Sequence, residues 1–345
     1  MAIQPPLQQL QLLLTERCNL TCSHCAVPEE TSPALHELDA AQWNTFIDRV
    51  LESGVRRIVL SGGEALLRTD CLAIAEHALM EGAEAVVIVT NGTVLPTTTS
   101  ARLADLQRRW PGLLLHVSID GAEAVSHDLI RGCGSFDRTM AGLARLRAAG
   151  GRVDGVHSVV NRRNVDDLEA MADLARGLGA TTWTVFPVAA LGRGVDLDDL
   201  RLGQQDWRRL LHQLATSPPA GLDLGIMGPT VGDEWSDVLV VPAPRVVHSP
   251  QAVVGPDGAV FTCPPLRHTT AGQVLDVIEG SPWSDVDESL RISMAGACPT
   301  CKFRSLCTGV DAGAPLLVAT LPFGEPRLSV SAAGAVSVSI GRNPR

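Results

Sequence analysis

The sequence predicts an α/β protein built on a parallel sheet, and three observations carry that prediction. Six apolar runs of strand length succeed one another through residues 7–190. Amphipathic segments with helical spacing lie between them. Residues with chemical potential gather where the runs end, which is where parallel α/β proteins place their chemistry. A chain of 345 residues with 45% apolar and 19% charged residues has the composition of a globular protein of two domains, or of one large domain with an appendage.

The runs are Leu7–Leu14, Arg57–Leu60, Ala85–Thr90, Leu113–Asp120, Arg152–Val160 and Thr181–Pro187. In Asp39–Ser53, Trp43, Phe46, Ile47, Val50 and Leu51 recur at helical spacing and fall on one face, with Gly54 as a stop. In Asn164–Gly179 an Asn cap leads into Leu168, Met171, Ala172, Ala175 and Leu178. Such alternation builds a parallel sheet with helices outside, either a barrel or an open sheet. Six β/α units are countable, and a full eight-unit barrel is not. After Pro187 the rhythm breaks. One helix is predicted at Gln204–Ala215. QAVVGPDGAVFTC reads as two short strands about a Pro-Asp-Gly turn. The tail Arg327–Ile340 alternates apolar residues with Ser and Ala around Gly334 and reads as a hairpin. There are no repeats and no low-complexity linker.

Composition excludes several function classes. There is no Tyr, so a tyrosine acid, base or radical is ruled out, and Lys302 is the only lysine available for a Schiff base or phosphate contact. The net charge of -10 and the lack of a basic stripe argue against nucleic acid and against an anionic membrane surface. No stretch of about 20 apolar residues is present, so no transmembrane helix is expected. MAIQPPLQQLQLLLTERC has no basic n-region, which argues against a signal peptide and for a cytoplasmic protein. Nine Cys is an odd number for a disulfide framework, and in a reducing compartment clustered Cys suggest metal or catalysis.

The first cluster is Cys18-Asn-Leu-Thr-Cys22-Ser-His-Cys25, after the first run. Three thiolates are one short for structural zinc, but in a [4Fe–4S] cluster they leave one iron open to a substrate or cofactor. Ser61-Gly62-Gly63-Glu64 follows the second run, Val89-Thr90-Asn91-Gly92-Thr93 the third, and Val117-Ser118-Ile119-Asp120-Gly121 ends the fourth. His127-Asp128, Arg131-Gly132 and Ser135-Phe136 come next. In this order and spacing the first 190 residues resemble the radical SAM superfamily, whose signature is Cys-x3-Cys-x2-Cys. The resemblance implies a partial (β/α)6 TIM-like barrel. It implies that the open iron chelates S-adenosylmethionine (SAM), which the cluster reduces to methionine and a 5′-deoxyadenosyl radical. It further implies that Gly62 and Gly63 let backbone approach the methionine part, and that Glu64 accepts from its ammonium group. Ser118 and Asp120 then sit near the ribose or methionine end, Arg131 holds the carboxylate and His24 lies against the adenine. Asn91 completes the set of cofactor-binding candidates.

A second cluster, Cys298-Pro-Thr-Cys301-Lys-Phe-Arg-Ser-Leu-Cys307 with Cys263 upstream after Gly258, resembles the SPASM/twitch extensions that hold auxiliary Fe–S clusters in this superfamily. The upstream Cys of the full pattern is missing and His248 stands at its spacing; Asp311 occupies the x3-Cys position. Four thiolates suffice for one auxiliary [4Fe–4S] cluster, so Cys263, Cys298, Cys301 and Cys307 are read as its ligands. His248 or Asp311 are candidate non-Cys ligands, and a small zinc site also suits four Cys with an x2 pair. The expected organisation is a core at 1–200, a bridging segment at 201–245 and a SPASM/twitch-like extension at 246–345.

Two cysteines remain. Cys71 lies in the helix after Gly-Gly-Glu and reads as a buried apolar residue. Cys133, in Arg131-Gly-Cys-Gly134, is the candidate catalytic residue, a thiol placed to donate a hydrogen atom to a substrate radical, with an ordinary loop residue as the alternative. His116 shares a strand face with Ser118 and reads either as lining the barrel interior or as a satisfied core residue. The expected function is radical SAM hydrogen abstraction, with maturation of a ribosomally made peptide favoured over dehydrogenation or epimerisation of a sugar or aminocyclitol. A non-catalytic Fe–S or zinc protein is a third reading. The first run starts too early for a fused leader-binding domain, so a separate leader-binding protein is expected, with ferredoxin or flavodoxin as electron donor.

Overall fold

A computed structural model describes residues 9–26, 36–188, 192–216, 219–226, 251–261, 272–286, 289, 326–330 and 336–340. The six expected strands are present as β1 (Gln9–Leu13), β2 (Arg57–Ser61), β3 (Ala85–Thr90), β4 (Leu113–Ser118), β5 (Gly155–Val160) and β6 (Thr182–Pro187). Each pairs in parallel with the next. A seventh parallel strand, β7 (Asp223–Ile226), continues the sheet beside β6. The six expected β/α units are thus present, and β7 extends the sheet by a strand that the sequence did not announce. β7 is four residues long in a Gly/Pro-rich stretch, and its pairing with β6 supplies what its own sequence does not.

The sequence QAVVGPDGAVF forms β8 (Gln251–Val254) and β9 (Ala259–Phe261), antiparallel about a turn that puts Gly258 at φ +84°. β8 runs parallel to β1 on its free edge, and β10 (Gly272–Gln273) pairs with β9. The sheet thus has ten strands in the order β10-β9-β8-β1-β2-β3-β4-β5-β6-β7. The tail hairpin is β11 (Pro326–Val330) against β12 (Val336–Ile340).

The helices are α1 (Ala40–Glu52), α2 (Cys71–Met80), α3 (Thr97–Arg109), α4 (Ala124–Arg131), α5 (Ser135–Ala148), α6 (Leu168–Gly177), α7 (Gln204–Thr216) and α8 (Val274–Ile278). α1 starts at a capping box: Gln42 N donates to Asp39 Oδ1 at 2.9 Å, and Asp39 N donates to Gln42 Oε1 at 3.0 Å. Its five expected apolar residues are all buried. The Asn cap expected for α6 is not one. Asp167 holds the cap position, and Asn164 turns instead to the ends of β4 and β5. Cys71 opens α2 and is fully buried, which pushes its thiol far up.

Strand residues alternate between two faces. Leu10, Leu12, Ile58, Leu60, Leu115, Val117, Trp183 and Val185 are buried in the main core. The opposite face lines the lumen of the partial barrel and includes Arg57, His116, Ser118, His157 and Phe186. No described helix is long and apolar enough to cross a membrane.

Candidate active site

The loop after β1 carries Cys18, Cys22 and Cys25 and is seated by backbone contacts with the loop after β2. Gly63 N donates to Thr15 O at 2.7 Å and Glu64 N to Arg17 O at 2.9 Å. A Cβ on Gly62 would stand 2.3 Å from Thr15 O, and one on Gly63 would stand 2.4 Å from Arg17 O. The missing methyl groups therefore make room for the cysteine loop. This is a reason for glycine that the sequence did not show, additional to the expected close approach of backbone to a ligand. The start of the loop is held by Thr15 Oγ1, which donates to Glu37 Oε1 at 2.5 Å. Arg68 donates to Leu14 O at 3.0 Å and to Leu38 O at 2.9 Å, and it pairs with Asp70.

Glu64 is 1% exposed and its carboxylate is already engaged. It accepts from Thr90 Oγ1 at 2.8 Å, Leu66 N at 3.1 Å and Asn91 N at 2.7 Å. These bonds tie the end of β2 to the end of β3. Asn91 Nδ2 donates to Asn19 Oδ1 at 3.0 Å, and Asn19 Nδ2 donates to Thr93 Oγ1 at 2.8 Å, so the third loop is tied to the cysteine loop as well. Glu64 and Asn91 thus act on the site by fixing three loops together.

Asp120 is fully buried past the end of β4. Its Oδ2 accepts from Arg131 Nε at 2.6 Å and its Oδ1 from Val159 N at 2.7 Å. Burial alone would raise its pKa, but Arg131, His24 and these bonds together hold it below the usual carboxylate range. Its backbone is held too: Asn164 Nδ2 donates to Asp120 O at 2.7 Å, and Asp120 N donates to His127 Nδ1 at 3.3 Å. Asp128 caps α5, accepting from Gly134 N, Ser135 Oγ and Phe136 N. The His-Asp and Ser-Phe motifs therefore position Arg131 and its helix. Ser118 is half-buried at the end of β4, opposite His157.

His24 lies within the cysteine loop, with Nε2 3.8 Å from Asp120 Oδ2 and Nδ1 buried without a partner. Burial, reinforced by Arg131 and Arg193, pushes its pKa down to about 4, so the ring is neutral. Burial pushes the Cys22 thiol up to about 11, against the pull of Arg131, and also raises Cys18. The charge of Cys25 adds to the rise at Cys18, and that of Cys18 and Cys25 adds to the rise at Cys22. This donor set fits an Fe–S cluster: three close thiols on one loop, each able to bond its own iron, with the Arg131 guanidinium beside them to offset thiolate charge. Among the described residues no three His, Cys, Asp or Glu side chains converge as ligands of a single metal ion.

Arg193 is a site residue that the sequence reading missed. It lies in the 3-10 turn Gly192–Asp196, after β6. Its backbone N donates to Cys25 O at 3.0 Å and its Nε to Cys22 O at 2.8 Å, clamping both ends of the Cys22–Cys25 segment. No motif or period marks it. Arg193→Ala removes one charge-assisted hydrogen bond, worth about 1.5–3 kcal/mol. Iron is expected to pass to a chelator roughly tenfold faster than from the unaltered chain, with Arg193→Lys intermediate. Equal rates would show that the clamp does not matter.

Cys133 is exposed between Gly132 (φ +101°) and Gly134 (φ +70°), and its thiol makes no hydrogen bond among the described residues. Cys263, Cys298, Cys301, Cys307, His248, Asp311 and Lys302 lie outside the described residues.

Residues 12–175 match the Radical SAM superfamily. The AdoMet-dependent heme synthase of Methanosarcina barkeri is 38% identical over 202 residues, 58% of this chain and 55% of that protein. The chain thus spans little more than half the length of that relative. The mycofactocin maturase MftC of Mycolicibacterium smegmatis is 31% identical over 312 residues, 86% of this chain and 76% of the relative. In fold, the chain is similar to Streptococcus suis SuiB bound to precursor peptide SuiA, with TM-score 0.66 at 15% identity over 88% of this chain and 71% of that one. It is also similar to anSMEcpe with bound AdoMet, with TM-score 0.58 at 16% identity over 87% of each chain. The cysteine loop, the Gly-Gly-Glu seat beneath it and this extended likeness to MftC lead to one conclusion: the chain belongs to the radical SAM superfamily, whose members use a [4Fe–4S] cluster and SAM.

Proposed function

We propose that the chain is a radical SAM oxidoreductase that matures a ribosomally synthesised peptide. The observation that carries this reading is the match to MftC, which runs through 86% of the chain and so extends well past the barrel. When bound, the [4Fe–4S] cluster supplies the electron that cleaves SAM reductively to a 5′-deoxyadenosyl radical, which abstracts hydrogen from the substrate.

The chain's own residues prepare that step. Cys18, Cys22 and Cys25 hold the cluster. Gly62, Gly63 and Glu64 shape the wall facing the methionine end, with Asn91 fixing the loop beside it. The neutral His24 ring offers a flat face to the adenine, and Ser118 stands toward the ribose. Asp120 spends its carboxylate on Arg131 and so orients the guanidinium. That bond uses one of five N–H donors, and the others can take the SAM carboxylate in bidentate fashion. Cys133 is the candidate hydrogen-atom donor. Residues 1–200 form the catalytic core, 201–245 a bridge and 246–345 the auxiliary-cluster extension, with Cys263, Cys298, Cys301 and Cys307 as ligands. The electron donor is a ferredoxin or flavodoxin, and a separate protein presents the leader.

A small-molecule substrate is the second reading, favoured by the likeness to the heme synthase. The test is 5′-deoxyadenosine formation by the anaerobically reconstituted chain, with any short precursor peptide found encoded beside its gene and, separately, with Fe-coproporphyrin III, the porphyrin in the name of a Methanosarcina barkeri synthase 26% identical over 329 residues. Turnover and a mass change confined to the peptide support the first reading. Turnover confined to the porphyrin moves the assignment to the second, and no SAM cleavage with either sinks both.

A further inference from the structure

We propose that Arg57, the His116–His157 pair and Phe186 form a subsite in the barrel lumen for a carboxylate of the substrate. This deepens the functional reading above and rests on it for the step performed there.

Arg57 opens β2 and alternates with the buried Ile58 and Leu60, so it faces the lumen with Val59 and Ser61. Its Nε is buried without a partner. Burial pushes the guanidinium's pKa down with no counteracting influence, and among the described residues no carboxylate stands within ion-pair distance. A structural arginine in this protein behaves differently. Arg152 donates to Pro111 O and Leu113 O and pairs with Asp154. Arg68 donates to Leu14 O and Leu38 O and pairs with Asp70. A half-buried cation whose Nε is shut away without a partner is costly to keep, and its natural complement is a carboxylate.

His116 on β4 and His157 on β5 share the lumen face with Arg57. His116 Nδ1 and His157 Nε2 are 3.0 Å apart, with the rings edge to face at 4.9 Å. A Cβ on Gly155 would meet the His116 ring at 2.8 Å, so glycine at the start of β5 gives that ring its place. Burial, reinforced by Arg57, pushes His116 down to about 4. Burial with His116, Arg131 and Arg57 pushes His157 down to about 3. Both rings are therefore neutral at pH 7. His157 stands opposite Ser118 across β4 and β5, two residues short of Asp120 along the chain of β4. The His157 ring meets Phe186 at 5.2 Å, which gives the wall an apolar side. A guanidinium, the one imidazole N–H that the His116–His157 bond leaves free and an aromatic edge together suit a carboxylate borne on an apolar or aromatic body.

The test uses the full, anaerobically reconstituted chain with SAM bound. Binding of N-acetylphenylalanine and of its primary amide is measured by equilibrium dialysis. The acid is expected to bind at least about tenfold more tightly, the range of a charge-assisted hydrogen bond. Arg57→Gln is expected to bring the acid to the level of the amide without moving the amide, and Arg57→Lys to keep part of the preference. Thermal melts establish that each variant is folded; if Arg57→Gln is not, Arg57→Lys decides. Equal binding of acid and amide, binding of neither, or a preference that survives Arg57→Gln overturns the proposal. Benzoate distinguishes the source: binding as tight as that of the acetylated residue points to a small acid, and weaker binding to a peptide end. Formation of 5′-deoxyadenosine is followed in the same preparations. Its absence in the unaltered chain sinks the functional reading while leaving the dialysis result to judge the subsite.

Discussion

Alanine in place of Cys18, Cys22 or Cys25 is expected to abolish 5′-deoxyadenosine formation and to lower the iron of the reconstituted chain from about two clusters to about one. The effect is large because the three thiols form an incomplete set by design. If each thiol holds one iron and the fourth iron is left for SAM, as proposed above, no spare cysteine on the loop would replace a lost one. Cys71→Ala is the control, since that thiol is buried at the start of α2. It should leave iron and SAM cleavage unchanged. Iron assay, the visible absorption of the cluster and chromatographic detection of 5′-deoxyadenosine read the outcome. Bound zinc without SAM cleavage in the unaltered chain would defeat the assignment.

The Asp120–Arg131 pair sets the second large effect. Asp120→Ala leaves the buried Arg131 guanidinium uncompensated and leaves Val159 N without its acceptor. A loss of about 3–5 kcal/mol in unfolding free energy is expected. Arg131→Ala strands the carboxylate and should cost a similar amount. The double variant should lose clearly less than the sum, because neither charge is then left alone. Urea unfolding of the four proteins measures this, and additive losses would show that the two side chains do not depend on each other. Asp120→Asn keeps an acceptor for Val159 N, so its smaller loss separates the hydrogen bond from the charge.

What could be read from the sequence was what local physics dictates. Trp43, Phe46, Ile47, Val50 and Leu51 announce α1 because a helix must bury one stripe, and the cap at Asp39 lies within a turn of it. The six strands were legible for a similar reason: a strand covered by helices needs an apolar run. The order of the site motifs was legible because each sits at a strand end. β7 was not, since Asp223–Ile226 becomes a strand only by pairing with β6. Asn164 read as a helix cap because local sequence cannot show that β4 ends within its reach. Gly62 and Gly63 were legible as site glycines, but the Thr15–Arg17 backbone that they accommodate was not, because it belongs to another loop. Asn19 and Thr90 lay inside the quoted motifs but were given no role, and Arg193 was missed altogether. Their partners lie on other loops, and contacts between loops leave no period in a sequence.

The neighbours of β1 also bear on how the chain is made. β1 pairs with β2 on one side and with β8 on the other, so Gln9 must wait for Gln251 before both its edges are filled. On the ribosome the first strand is among the last to be completed. An unpaired strand edge invites association with other chains, and closing so distant a pair is slow. The nascent chain therefore has a long interval in which that edge is open to chaperones, and over-rapid synthesis should favour aggregation through it.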